Sequence, residues 1–187
     1  MNFLAELVVK VLEMLITTIQ WRGIKNNMDR VVTIYDSMKN TISNTEVQRF
    51  LVLKLENGGG KIKPNVNLYA SVIHEDYESP FESHKQEYQR LLVDKDYLNI
   101  ISTIINQGYA DIFTEKLEEE SMIKKLYTAE GVVYSEWYYL HSTRKAIFFC
   151  TIATSNTLDT FDQPKHRALI DLEINKIRNA ISGKKYK

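Results

Sequence analysis

The chain has 187 residues, 44% of them apolar, enough to bury one core and few for two, so a single domain is expected. Its 24 Lys and Arg balance 24 Asp and Glu, leaving no excess positive field to hold a nucleic-acid backbone, and nucleic acid is excluded as a partner class. The single cysteine, Cys150, excludes an internal disulfide and a multi-thiolate zinc site; it lies in the apolar run IFFCTIAT, the setting of a buried, inert thiol. Nothing marks secretion, so a reducing cytoplasm is the expected location.

The opening segment, MNFLAELVVKVLEMLITTIQW, is apolar but interrupted. Glu6, Lys10 and Glu13 recur every three to four residues and draw a polar stripe along a helix, whereas a membrane span needs about 20 predominantly apolar residues. A signal peptide would need a basic n-region and a small-residue cleavage site, and neither is clear. The apolar stripe runs through Leu4, Leu7, Val11, Met14, Thr18 and Trp21, then Ile24, Met28, Val31, Tyr35, Met38 and Ile42. Two successive steps of three, to Trp21 and to Ile24, shift the register beside Gly23, so a bend or break is expected there. The polar face lacks the Lys/Arg excess that anionic lipid favours, and membrane-surface contact is the weaker reading. The stripe either packs on a second copy of the chain or covers the domain's own sheet.

The period then changes from helical to alternating. In residues 48–57, Leu51, Leu53 and Leu55 share one face and Phe50, Val52 and Lys54 the other; in residues 65–76, Val66, Leu68, Ala70, Val72 and His74 oppose Asn67, Tyr69, Ser71, Ile73 and Glu75. These are two strands. Between them lies ENGGGKIKP, three glycines before a lysine. A phosphate-binding loop leads from a strand into a helix, so that N–H groups converge on the anion, and its Lys is followed by Ser or Thr. Here Ile62 follows Lys61 and a second strand comes next. The glycines therefore read as a hairpin turn.

Residues 84–108 return to helical spacing, with Tyr88, Leu91, Leu92, Tyr97, Ile100, Ile101, Ile104 and Ile105 apolar, Gly108 as a C-terminal cap and a division near Asp94. The stretch 109–131 is ambiguous, and its acidic run Glu118–Glu120 reads as a solvated loop or helix end. Two strands follow, GVVYSEWYYLHS and RKAIFFCTIATS, joined by a polar turn around Ser142–Lys145. On the first, Val133, Ser135, Trp137, Tyr139 and His141 share one face; Val132, Tyr134, Glu136, Tyr138 and Leu140 share the other. Neither face is uniformly polar, so helices should cover both. A final helix follows, with Asp162 as cap, Pro164 in the first turn, and Leu169, Leu172, Ile174, Ile177 and Ile181 as its apolar stripe. A basic tail, GKKYK, ends the chain.

This order gives an α+β fold: a central antiparallel sheet flanked by helices on both faces, with a long N-terminal amphipathic helix. VVYSEWYYLHSTRKAIFFCTIATSN followed by FDQPKHRALIDLEINKIRNAI resembles the C-terminal half of GAF domains, sensor modules related to PAS domains, and the resemblance spans roughly residues 25–182. The chain divides accordingly into 1–24, an N-terminal helix for dimerisation or a partner; 25–182, a GAF-like domain; and 183–187, a basic tail. The resemblance implies a regulatory module without chemistry of its own, binding a small molecule between the sheet and the middle helices and forming a homodimer through the N-terminal helix. The asparagine-lysine-phenylalanine-aspartate-glutamate set of cyclic-nucleotide-binding members is absent. A bilin-type cysteine beside a histidine is absent too, since the histidine nearest Cys150 is His141, nine residues earlier. Neither well-known ligand class is supported, and any signal would pass to a separate protein partner. The candidate ligand residues are Tyr69, Trp137, Tyr139 and His141, because aromatic rings supply flat apolar walls and imidazole a directional polar contact. The competing role for the strand aromatics is packing beneath a helix.

Enzyme constellations are missing. His74, His84 and the carboxylates of HEDYESPFESH lack a metal-ligand spacing such as H-E-x-x-H, and Ser135 lacks a G-x-S-x-G elbow. No catalytic residue and no metal site is expected, and no cofactor is indicated. Two functions of different class remain: a small-molecule sensing module working through a helix-mediated dimer, and a structural component of a larger complex or viral particle.

Overall fold

The computed structural model describes residues 3–83, 85–156 and 164–183. Helix α1 spans Phe3–Asn44. Strands β1 (Arg49–Glu56) and β2 (Tyr69–Tyr77) form the first hairpin. Strand β3 (Leu91–Leu92) and helix α2 (Lys95–Gln107) follow, then β4 (Tyr109–Phe113), a 3-10 turn and α3 (Met122–Glu130). The second hairpin is β5 (Tyr134–Ser142) with β6 (Ala146–Thr154), and α4 (Pro164–Ser182) closes the fold. All pairings are antiparallel in one sheet of order β3-β2-β1-β6-β5-β4. The Asp162 cap, His84 and residues 184–187 of the basic tail lie outside the described residues.

The alternation in β1 splits its side chains between two cores. Leu51, Leu53 and Leu55 meet Trp137, Phe149 and residues of α2 and α3. Phe50 and Val52 meet Ile34, Met38 and Ile42 of α1 and Ile170, Ile174 and Ile177 of α4. Both sheet faces are therefore covered by helices, as apolar residues on both faces require. Between β1 and β2, Gly58 and Gly59 have φ of +76° and +100°, conformations that β-carbons disfavour and that let the chain reverse tightly. The glycine run is thus a turn from strand to strand.

Three expectations are corrected and one open stretch is resolved. First, α1 runs unbroken through Gly23; one helical glycine costs only about 1 kcal/mol relative to alanine, too little to interrupt a helix with good formers on both sides. Second, residues 85–93 are not helical: Leu91 and Leu92 pair with Ala70 and Tyr69 of β2, and Tyr88 O accepts from Val72 N at 3.0 Å. Sheet hydrogen bonding overrides the local helical spacing there, and Asp94 starts the helix only at Lys95 by accepting from Tyr97 N. Third, the ambiguous stretch supplies a sheet edge, β4, while Glu118–Glu120 are solvent-exposed as expected. Fourth, two β-bulges reverse the alternation. One between Tyr139 and His141 sets His141 opposite Phe148; one at Val52/Leu53 sets His74 opposite Val52. Cross-strand partners share a face and Phe148 and Val52 belong to the α1/α4 side, so both imidazoles lie on that side.

The first half of α1 stands away from the sheet. Val11, Leu12, Met14, Leu15, Ile16, Ile19, Trp21, Ile24 and Met28 are all exposed, and burial begins only at Ile34, Ser37, Met38, Thr41 and Ile42. Among the described residues no helix is long and apolar enough to cross a membrane.

Candidate functional site

The space between the sheet and α2/α3 is built by helix capping. Asp94 Oδ1 accepts from Tyr97 N at 2.8 Å and Asp94 Oδ2 from Met122 N at 2.7 Å, so one carboxylate both starts α2 and fixes the first turn of α3. Ser121 caps α3, accepting from Lys124 N, and Gly108 closes α2 with φ +91°. These contacts hold Tyr97 and Tyr127 over β5 and β6.

Beneath them, Trp137 stacks on Phe149, with ring centroids 5.3 Å apart and planes 19° apart, and Tyr97 meets Trp137 edge-on at 4.9 Å. Trp137 Nε1 donates to Tyr127 Oη, which donates to Ser135 Oγ. Arg49, only 2% exposed, pairs with Glu130 at 2.5 Å and lies with its guanidinium carbon 5.0 Å from the centre of the Phe81 ring. What remains open is a cavity of about 40 Å³ whose lining includes Arg49, Tyr88, Tyr97, Tyr127, Trp137 and Thr151. Tyr127 also lines an outer cleft of about 540 Å³ with Lys124, Thr128 and Gly131, so this residue borders both spaces. Burial raises the Tyr97 hydroxyl well above its ordinary range and raises that of Tyr127 as well, Tyr127 partly offset by its bonds to Ser135 and Trp137. Both phenols stay protonated and can donate.

Of the four sequence candidates, Trp137 lines this cavity. Tyr139 packs on the same side of the sheet, with its hydroxyl on Ser142 Oγ. Tyr69 and His141 do not join them. Tyr69 pairs with Glu56, one residue out of phase with Ala70 and Leu55 of the cavity-side core, and carries the Arg90 guanidinium on its ring at 5.1 Å. His141 is on the far side because of the bulge described above. Arg49 and Tyr127 went unnoticed in the sequence. An arginine opening an apolar alternating strand, in phase with Leu51, Leu53 and Leu55, is the signal that would have found the first, since an inward charge needs a partner.

Cys150 is fully buried, and burial pushes its thiol well above the ordinary range, the state of an unreactive cysteine. Among the described residues no three His, Cys, Asp or Glu side chains converge to hold a metal ion. Near the end of β2, Glu75 Oε2 accepts from Ser83 Oγ and Lys85 N.

No family model matches the sequence, and no curated protein matches it. Solved structures do. The GAF domain of a two-component sensor histidine kinase from Bacillus halodurans superposes with a TM-score of 0.55 at 13% identity, covering 80% of this chain and 92% of that one. A phycoerythrobilin-bound GAF domain from a cyanobacterial phytochrome gives 0.52 at 11% identity, covering 86% and 94%. The blue-light-absorbing form of the PixJ GAF domain of Thermosynechococcus elongatus gives 0.56 at 9% identity, covering 85% and 91%. The chain has a GAF-like α+β fold.

Proposed function

We propose that the chain is a non-catalytic sensing module that takes a small molecule between the sheet and α2/α3 and acts through a homodimer formed by α1. The observation that carries this reading is the division of α1 into a seated half and a bare one. Met14, Trp21, Met28, Tyr35 and Ile42 recur every seven residues, with Ile24, Val31 and Met38 three residues after the middle three. Met38 and Ile42 are in the core, whereas Met14, Trp21, Ile24 and Met28 are more than half exposed. A second copy aligned on that seam would cover them, and a helix locked to the sheet at one end and to a partner along the other transmits any change in sheet packing.

Sensing is supported by the company the fold keeps, a sensor-kinase GAF domain and a phycoerythrobilin-bound one. The cavity bears on ligand size. A single water needs about 10–15 Å³, so about 40 Å³ admits only a few heavy atoms while Tyr127 stays in place, and a larger ligand would enter from the outer cleft by displacing it. The second reading, an assembly protein using the same dimer without a ligand, is favoured by the small size of this cavity beside the stacked Trp137 and Phe149.

Native mass spectrometry of protein purified from cells tests both parts. A dimer carrying a small adduct is expected, and Trp21→Glu with Met28→Glu should give a folded monomer. A wild-type monomer would overturn the α1 dimer, and a ligand-free dimer would leave the assembly reading in its place.

A further inference from the structure

On the other side of the sheet, α1 and α4 enclose a crevice of about 350 Å³ lined by Thr33, Asp36, Ser37, Asn40, Glu173 and Lys176. Glu173 is 1% exposed. Its Oε1 accepts from Asn40 Nδ2 and from Lys176 Nζ, both at 2.7 Å, but its Oε2 has no hydrogen-bond partner. A buried carboxylate oxygen without a donor is costly, and native interiors rarely leave one so. Two carboxylates against one ammonium give the lining a net charge of −1, room for one positive group. The Lys176 side chain is about one-third exposed (35%).

We propose that this crevice binds a guanidinium group, which would pair with the Asp36 carboxylate and, once the partly exposed Lys176 side chain shifts to open a path to it, with Glu173 Oε2 as well. Guanidinium fits better than a metal ion. Only two carboxylates are present, an ammonium already touches Glu173, and a planar fork of N–H donors satisfies carboxylate oxygens directionally without needing a full coordination shell. The hydroxyl oxygens of buried Ser37 and half-buried Thr33 offer further acceptors. The group could belong to a free guanidinium compound or to an arginine of a second copy; the chemistry of recognition is the same. Either would clamp α1 to α4, since Asp36 stands on one helix and Glu173 on the other. The site is separate from the cavity above and does not rest on the sensing role.

Titration of the full chain with methylguanidinium chloride, followed by NMR at the Asn40 side-chain amide and the Ser37 and Glu173 backbone amides, tests this. Saturable shifts are expected at these positions, with affinity weakened about ten-fold or more in Glu173→Gln and also in Asp36→Asn; Asp36 is exposed, so the second variant should fold normally. Affinity that falls as protein concentration rises identifies an arginine of a second copy as the natural occupant, and affinity independent of concentration identifies a free compound; both support the site. The proposal is overturned if no saturable shift occurs, if shifts persist unchanged in both variants, or if magnesium chloride produces them and methylguanidinium does not.

Discussion

Trp137 Nε1 donates to Tyr127 Oη at 2.8 Å, and the same hydroxyl donates to Ser135 Oγ at 3.0 Å. Floor and wall of the cavity are therefore one hydrogen-bonded unit spanning β5 and α3. Tyr127→Phe keeps the ring but leaves the indole N–H without its acceptor in a region where Trp137 is 2% exposed. The variant should lose about 1–3 kcal/mol in urea denaturation, the cost of an unsatisfied buried donor. An unchanged midpoint would mean that water reaches the indole through the cavity, and with it a wetter site than the lining suggests.

The ion pair of Arg49 and Glu130, with side chains 2% and 5% exposed, sits at one end of the same cavity. Replacing Glu130 leaves the Arg49 guanidinium buried without this carboxylate, and replacing Arg49 takes that countercharge from Glu130. Glu130→Gln or Arg49→Met should each cost about 3–5 kcal/mol, while Arg49→Met combined with Glu130→Leu should recover most of it, because two apolar groups need no partner. A double-mutant cycle in denaturant measures this directly. Additive losses would show that the two side chains do not depend on each other.

Much of this architecture is legible in the residues, and the failures have definite causes. Leu51, Leu53 and Leu55 alternate with Phe50, Val52 and Lys54 without interruption, so β1 and its two faces follow from period alone. Strict alternation puts His74 and His141 on the wrong face because a bulge precedes each, and a bulge leaves no mark in the composition of the strand. In the candidate ligand set the bulge separates His141 from Trp137 and Tyr139, whereas Tyr69 faces away from Ala70 by simple alternation. Strand β4 escaped notice because it is a five-residue edge with little apolar alternation, and its pairing with β5 comes from tertiary contact. Arg49–Glu130 joins residues far apart in the chain, and no local pattern encodes it.

His74 stands against α1, its ring 5.1 Å from that of Tyr35 and edge-on to it. Burial and the nearby Lys85 hold its imidazole below the ordinary value of 6.5. The unfolded chain therefore takes up a proton before the folded one does. The stability owed to neutral His74 is fully present above a pH of about 6.5 and is lost as pH falls through the folded value. His74→Gln should flatten this part of the acid limb in denaturation curves collected across pH. An equally steep limb in the variant would assign it to other groups.

Helix α4 is tied to β5 twice. Near its start, Arg167 reaches Glu136 through Nη1 at 2.7 Å and Nη2 at 2.6 Å. Further along, Arg178 Nη2 donates to Tyr139 O at 3.0 Å. Glu136 is fully buried and also accepts from the hydroxyls of Tyr134 and Tyr138. Burial and the adjacent carboxylate raise both phenols far above their usual range, so they remain donors. Arg167→Met removes the only formal countercharge in this set but leaves two hydroxyls on Glu136, so the loss should fall near the low end of the buried-pair range, about 3 kcal/mol. Glu136→Gln added to Arg167→Met should restore more than half of it. Hydrogen exchange gives the spatial readout: amides in the first turns of α4 should exchange faster in Arg167→Met while those around Arg178 keep wild-type protection. Uniform acceleration along α4 would mean that the helix is released as a unit and that Arg178 does not hold its end independently.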